Sequence, residues 1–206
     1  MKARHILDSV RRELAPLNEQ ILNHSYVRDA EEGRLPLEKV KLFMGQQYYI
    51  VSYDVKSLAI MLSRARSREV GYFSLLLQGD IMALSSLVKM AGDLGLSVKD
   101  LEDFDLLPES VAYTHYLAFL ANYANTGEQA FALIVNLPIW GSACSRLSKG
   151  FKMNYGVTDT SFLDAFASIP DWIENQALEI IEPYLPEHEG RIKRAAKLIQ
   201  SYELMF

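Results

Sequence analysis

Leu37 to Ser67 reads LEKVKLFMGQQYYIVSYDVKSLAIMLSRARS, and its spacing decides the fold class. Val40, Phe43, Gln47, Ile50 and Asp54 recur at intervals of 3, 4, 3 and 4. Beside them runs an apolar row of Met44, Tyr48, Val51, Val55, Leu58 and Leu62. That is the one-sided pattern of a long amphipathic helix, since residues three and four apart share a helix face. Outward in both directions the same period returns in every substantial segment. No long alternating run with hairpin turns marks a strand. A first helix is expected over about 3–23, interrupted near Pro16, and Gly33-Arg34-Leu35-Pro36 is a turn into the second. A third runs over about 69–92, closed by Gly92 to Gly95. Residues 96–107 give a short acidic helix and a loop. Helices then follow over about 108–124 and 126–149, the latter bent at Pro138. Asp159-Thr160-Ser161 caps a short helix, Pro170-Asp171 starts another that ends before Pro183, and a last helix begins near Glu187. There is no repeat, low-complexity tract or linker, so the expectation is one all-α domain, 1–206, of about eight helices.

A chain of 206 residues, half of them hydrophobic, builds a core large enough to keep water out of an internal pocket. The net charge of −5 argues against a general nucleic-acid binder, which needs a basic face. The single cysteine, Cys144, rules out a disulfide within the chain, and nothing points to an oxidising compartment. The first residues lead into a charged amphipathic segment, and no apolar run approaches the length of a membrane span; a cytoplasmic protein with no membrane partner is expected. The 11 tyrosines imply internal polar networks or a polar ligand, because a buried phenol needs a partner.

Chemistry is sought where polar residues fall on apolar stripes. In the last helix Ile192, Ala196, Ile199, Glu203 and Phe206 are spaced 4, 3, 4, 3, which points Glu203 at the core. A buried carboxyl group holds its proton to higher pH and can then shuttle it near neutrality; the alternative is a solvated side chain near a fraying end. Gln47 and Asp54 lie two turns apart on one edge of the second helix, placed either to read a ligand or to line a wet seam. Asp80 shares a stripe with Leu76, Ala83, Leu87 and Met90, as a cavity acid or as the partner of a buried Tyr or Arg. Cys144 belongs to the stripe Leu133, Leu137, Trp140, Cys144, Leu147, Phe151 and reads most simply as a small buried hydrophobe. No metal site is expected: His115 has no acid three or four residues away, and there is no HxxE, ExxH or CxxC spacing. A phosphate-cradling glycine loop is also missing, and no cofactor is implied.

Several stretches, in order, resemble the TenA (thiaminase II) family of the heme-oxygenase-like fold. They are His24-Ser25-Tyr26-Val27 with Gly33-Arg34-Leu35-Pro36, the helix around Gln46-Gln47-Tyr48-Tyr49, Ala112-Tyr113-Thr114-His115-Tyr116, Leu137-Pro138, and Ser201-Tyr202-Glu203. The resemblance covers nearly the whole chain. It implies an up-and-down helical bundle around a pocket, assembled as a homo-oligomer, a tetramer or a dimer. It also implies hydrolysis of a C–N bond in thiamin or in an aminopyrimidine salvaged from it, with a cysteine, an acid on the second helix, tyrosine contacts and the terminal glutamate taking part. Carried over, Glu203 is retained as acid/base. Gln47, Tyr48, Tyr49, Tyr113, Ile139, Trp140 and Cys144 and, from its stripe on the third helix, Asp80 are the candidates to line the ligand site. Two positions depart from the pattern: Ile139 stands where the family has its nucleophilic cysteine, and Gln47 stands where it has aspartate. Cys144, five residues beyond Ile139, is turned about 140° away on a regular helix.

Three readings stay open. The first is a cysteine-independent hydrolase of a thiamin-related aminopyrimidine, with Glu203 as acid/base and Gln47, Tyr49 and Trp140 around the ring. The second is a non-catalytic binding or regulatory protein that keeps the pocket. The third is an oxygenase-type member of the same fold.

Overall fold

The computed structural model describes residues 2–206. Ten α-helices follow one another: α1 Lys2–Leu22, α2 Ser25–Glu31, α3 Leu37–Arg64, α4 Val70–Asp93, α5 Val98–Glu102, α6 Pro108–Tyr123, α7 Thr126–Asn154, α8 Ser161–Ala167, α9 Asp171–Ile181 and α10 Leu185–Met205. A single 3-10 turn, Glu182–Tyr184, joins α9 to α10. No strand occurs among the described residues. The fold class is as the spacing predicts, with ten helices in place of about eight.

Two expectations about helix ends are corrected. Pro16 does not interrupt α1, which continues to Leu22. Its apolar face (Ala3, Ile6, Leu7, Val10, Leu14, Ile21) stays buried on both sides of the proline, so packing outweighs the missing backbone bond. Arg64-Ala65-Arg66-Ser67-Arg68, which by sequence alone reads as a solvated helix end favourable to the dipole, is in part engaged. The Arg64 guanidinium donates to the carbonyls of Ala121 and Ala124 at the C-terminus of α6, and Arg66 sits 5.1 Å over the Tyr184 ring. Cations at helix C-termini satisfy carbonyls that the helix leaves unpaired.

The helix α7 runs through the middle and packs against α1, α2, α8, α9 and α10, while α3 packs against α4, α6 and α5. It opens with a capping box, in which the Asn125 side chain accepts from the Glu128 N–H and Glu128 returns the bond to the Asn125 N–H. Close approach on α7 depends on glycine. A side chain at Gly141 would meet the Phe166 carbonyl oxygen at 2.3 Å, and one at Gly150 would meet the Ala30 carbonyl oxygen at 2.6 Å. Both α4 and α7 are long and apolar enough to cross a membrane by length and composition, contrary to the expectation from sequence. Most of the apolar window of α7 is buried as core, whereas α4 leaves Val70, Ile81 and Met82 exposed.

Two apolar clusters form. One joins α1, α6, α9, α10, the first half of α7, the end of α3 and the start of α4 around Phe73 and Phe131. The other joins α2, α3, α4, α8 and the second half of α7 around Phe43, Phe151 and Phe162. They meet at an internal cavity, whose wall takes Leu58, Leu117 and Leu133 from the first and Val51 and Phe162 from the second.

Candidate active site

Five helices bring six polar groups to this cavity. Helix α3 presents Gln47 and Asp54, α4 presents Asp80, α6 presents Tyr113, α7 presents Asn136, and α10 presents Glu203. Trp140, Phe162, Phe166 and Phe206 supply aromatic wall. On α7 the residues that face the cavity are Leu133, Asn136, Leu137 and Trp140, the i, i+3, i+4, i+7 face of a helix that continues past Pro138 to Asn154. Its volume is about 80 Å³. A second chamber of about 210 Å³ adjoins it and shares Trp140, Glu203 and Phe206 as partition.

Glu203 is 9% exposed and accepts one hydrogen bond, 3.0 Å, from the Asn136 side-chain amide. The other hydrogen of that amide goes to Gln200 Oε1 at 2.9 Å, while Asn136 Oδ1 accepts from the Tyr113 hydroxyl at 3.2 Å. Gln200 in turn donates to Asn18 Oδ1 on α1 at 2.6 Å. Asn136 thus spends both donors and its acceptor holding Tyr113, Gln200 and Glu203 in register. Burial pushes the Glu203 carboxyl up to about 7, against the smaller opposing effect of the Asn136 bond. Burial does the same to Asp80, also to about 7. Asp80 is partly accessible to solvent although protein surrounds it, as befits a side chain on a cavity wall. Asp54 is 7% exposed and accepts from the Thr114 hydroxyl at 2.5 Å. Burial, then the neighbouring Asp80 charge, hold its carboxyl well above the usual range. The Tyr113 phenol is raised by burial and by the same carboxylates.

Of the residues singled out in the sequence, Gln47, Asp80, Tyr113, Trp140 and Glu203 come together on this wall; Tyr48, Tyr49, Ile139 and Cys144 do not. The Tyr48 hydroxyl reaches Glu102 at 3.5 Å, and that of Tyr49 pairs with His115 Nε2 at 3.3 Å, on faces of α3 turned away from the cavity. Ile139 lies off the inward face of α7 and lines a separate cleft with Ile169 and Ile173, because the regular helix turns it outward. Cys144 is fully buried in the second apolar cluster, and burial, then the charges of Glu203 and Asp164, push its thiol well above the usual range. A thiol so held is no nucleophile. Asp80 has neither the Tyr nor the Arg partner that a structural role would supply, and Asp54 faces the cavity in place of a wet seam. Sequence reasoning missed Asn136. Its signal was present: it sits three residues after Leu133 and four before Trp140. Among the described residues no group of three or more His, Cys, Asp or Glu is arranged to hold a metal ion.

The TENA/THI-4/PQQC family model matches residues 11–206. The chain belongs to this family. Solved structures share the fold of this TenA-family chain at low identity. A TenA homologue from P. horikoshii OT3 is 21% identical with a TM-score of 0.78, over 97% of this chain and 94% of that one. A TenA homolog from Pseudomonas syringae pv. tomato is 14% identical with a TM-score of 0.83, over 96% and 89%. A putative TenA-like thiaminase from Sulfolobus solfataricus is 14% identical with a TM-score of 0.61, over 95% and 92%. No curated protein matches the chain. The resemblance read from the ordered motifs is therefore a family membership, and the all-helical architecture is the family's.

Proposed function

We propose that this TenA-family protein binds a thiamin-related aminopyrimidine at the junction of the two chambers and hydrolyses a C–N bond in it, with Glu203 as acid/base. The observation that carries the reading is Glu203 itself, buried on the cavity wall with its carboxyl poised near 7. A group that titrates at the working pH both accepts a proton from water and returns one to a leaving amine. Gln47 and Tyr113 offer hydrogen bonds to the heterocycle edge, and Trp140 and Phe206 offer faces to its ring. A cavity of roughly 150 Å³ is known to hold benzene. The inner chamber alone is smaller, so a single-ring ligand requires Phe206 or Trp140 to shift and join the two chambers.

The acid lost at position 47 has counterparts on the same wall in Asp54 and Asp80. The thiol has no counterpart: Cys144 is buried and protonated, and Ile139 faces elsewhere. Water is therefore the attacking group, and the proton that it releases passes to Glu203. Turnover of an N-formyl aminopyrimidine by the wild type and by Glu203→Gln tests this. A loss of about 100-fold or more in kcat is expected; equal turnover removes Glu203 from the mechanism.

The missing thiol also favours a second reading, a binding protein that keeps the pocket without consuming its ligand. Thermal stabilisation by an aminopyrimidine that is recovered unchanged supports it. The working form in either case is a cytoplasmic homo-oligomer with no nucleic-acid partner.

A further inference from the structure

Pro138 lies inside α7 and has no N–H to give to the carbonyl of Ile134, the group four residues back that a helix bonds at that point. Ile134 is buried, and a buried carbonyl needs a donor. The donor comes from another helix. Arg11 of α1 donates through Nη2 to Ile134 O at 3.2 Å. The same nitrogen donates to Glu174 Oε2 on α9, and Arg4 donates to the other oxygen of that carboxylate. Burial works against a charge on Glu174, but the bonds and charges of Arg11 and Arg4 outweigh it and hold its carboxyl below the usual range. Glu174 is thereby an anion that fixes the guanidinium in place. The wall here is one helix thick: Leu137 lines both the inner cavity and the outer cleft that contains Arg11, Ile134 and Pro138.

We infer that Arg11 is a positioning residue for the cavity: held by Glu174, it replaces the donor that Pro138 lacks and so sets where α7 places Asn136 and Trp140. Asn136 lies two residues beyond the bonded carbonyl, and Trp140 two beyond the proline. Glu203 accepts from the Asn136 amide, so a slack α7 weakens that bond. The bond opposes the effect of burial on the Glu203 carboxyl, and its weakening raises the proton affinity of the acid. Arg11 lines neither chamber, so its effect on Glu203 passes through α7. The ionisable groups around Glu203 are Asp54 of α3, Asp80 of α4 and Tyr113 of α6 in the cavity, His24 and Lys39 in the adjoining chamber, and Cys144 of α7. The strut does not depend on what Glu203 does to a ligand.

A double-mutant cycle on the ligand-free protein tests the strut, with Arg11→Met made in the wild type and in Pro138→Ala. Alanine restores the N–H at position 138, so the Ile134 carbonyl regains a donor within the helix. Loss of the Arg11 charge and of its bond to Glu174 is common to both backgrounds and cancels. In chemical denaturation, Arg11→Met is expected to raise the unfolding equilibrium constant by a factor about 10 times larger in the wild type than in Pro138→Ala. Carbon-13 NMR of the glutamate carboxyls, assigned with Glu203→Gln, reads the acid directly. Arg11→Met should raise the proton affinity of Glu203 about threefold or more in the wild type, and by less in Pro138→Ala. Equal stability costs in the two backgrounds overturn the strut. A larger cost in the wild type with an unmoved Glu203 titration, or with the same shift in both backgrounds, overturns the positioning role and leaves Arg11 a stabiliser. If Arg11→Met does not fold, Arg11→Lys, which keeps the charge without the planar fork, takes its place in the same cycle.

Discussion

Glu203 shows how a single position on a stripe carries chemistry. Its spacing with Ile192, Ala196 and Ile199 places it inward, and the structure adds what spacing does not contain, the Asn136 amide that fixes one oxygen. The spacing of Asn136 with Leu133 and Trp140 marks it as inward, but its role is not in the sequence, because its three partners come from α6 and α10. Asn136→Ala should lower stability by about 1–3 kcal/mol in chemical denaturation, since it leaves the Tyr113 hydroxyl and the Gln200 and Glu203 oxygens short of partners. The pH dependence follows from the raised acids. Glu203 and Asp80 keep their protons to about 7 when folded, whereas unfolded they ionise near 4.5 and 3.8. The folded state therefore binds more protons across that window, and the ligand-free protein loses stability as pH rises from about 4 to 7, then levels off. For Glu203 alone the loss amounts to roughly 3 kcal/mol. Melting curves between pH 5 and 8 should show wild type falling and Glu203→Gln falling less. A parallel slope in both proteins would mean that Glu203 carries no unfavourable charge in the fold.

At the scale of elements, the long helices were legible because their stripes are long; α3, α4, α6 and α7 fall within a few residues of their expected ends. Helix α2 was not, because seven residues with only Val27 and Ala30 buried give no repeat to count. The motif at Tyr48-Tyr49 pointed to neighbours of Gln47 in sequence, but one step along a helix turns a side chain about 100°, so only Gln47 faces inward. The same geometry separates Trp140 from Ile139 on α7. Where α7 meets α8, a methyl group has no room. Gly141→Ala forces the Phe166 backbone aside and should lower the melting temperature, by about 1–3 kcal/mol in stability terms. It should also displace Phe166, which lines the cavity, and so weaken ligand binding in the same protein. Unchanged stability and affinity would show that α7 and α8 lie further apart than described.

For the molecule as a whole, composition predicted the class and missed the surface. Half the residues are hydrophobic, yet which helix stays uncovered depends on packing that no single stripe reveals. Helix α4 is apolar enough for a membrane and leaves Ile81 and Met82 facing outward, one and two residues beyond Asp80. We propose that this exposed apolar pair meets a second copy of the chain. Ile81→Lys with Met82→Lys should shift the mass found by light scattering toward the monomer; an unchanged mass would place the contact elsewhere. The account stands most directly on where a ligand sits, which a crystal structure of the protein soaked with 4-amino-5-aminomethyl-2-methylpyrimidine measures. The account predicts density for the ring against Trp140, within hydrogen-bond reach of Gln47 and Glu203, with Phe206 displaced. A ring bound only in an outer groove, with the three acids facing ordered water, would contradict it.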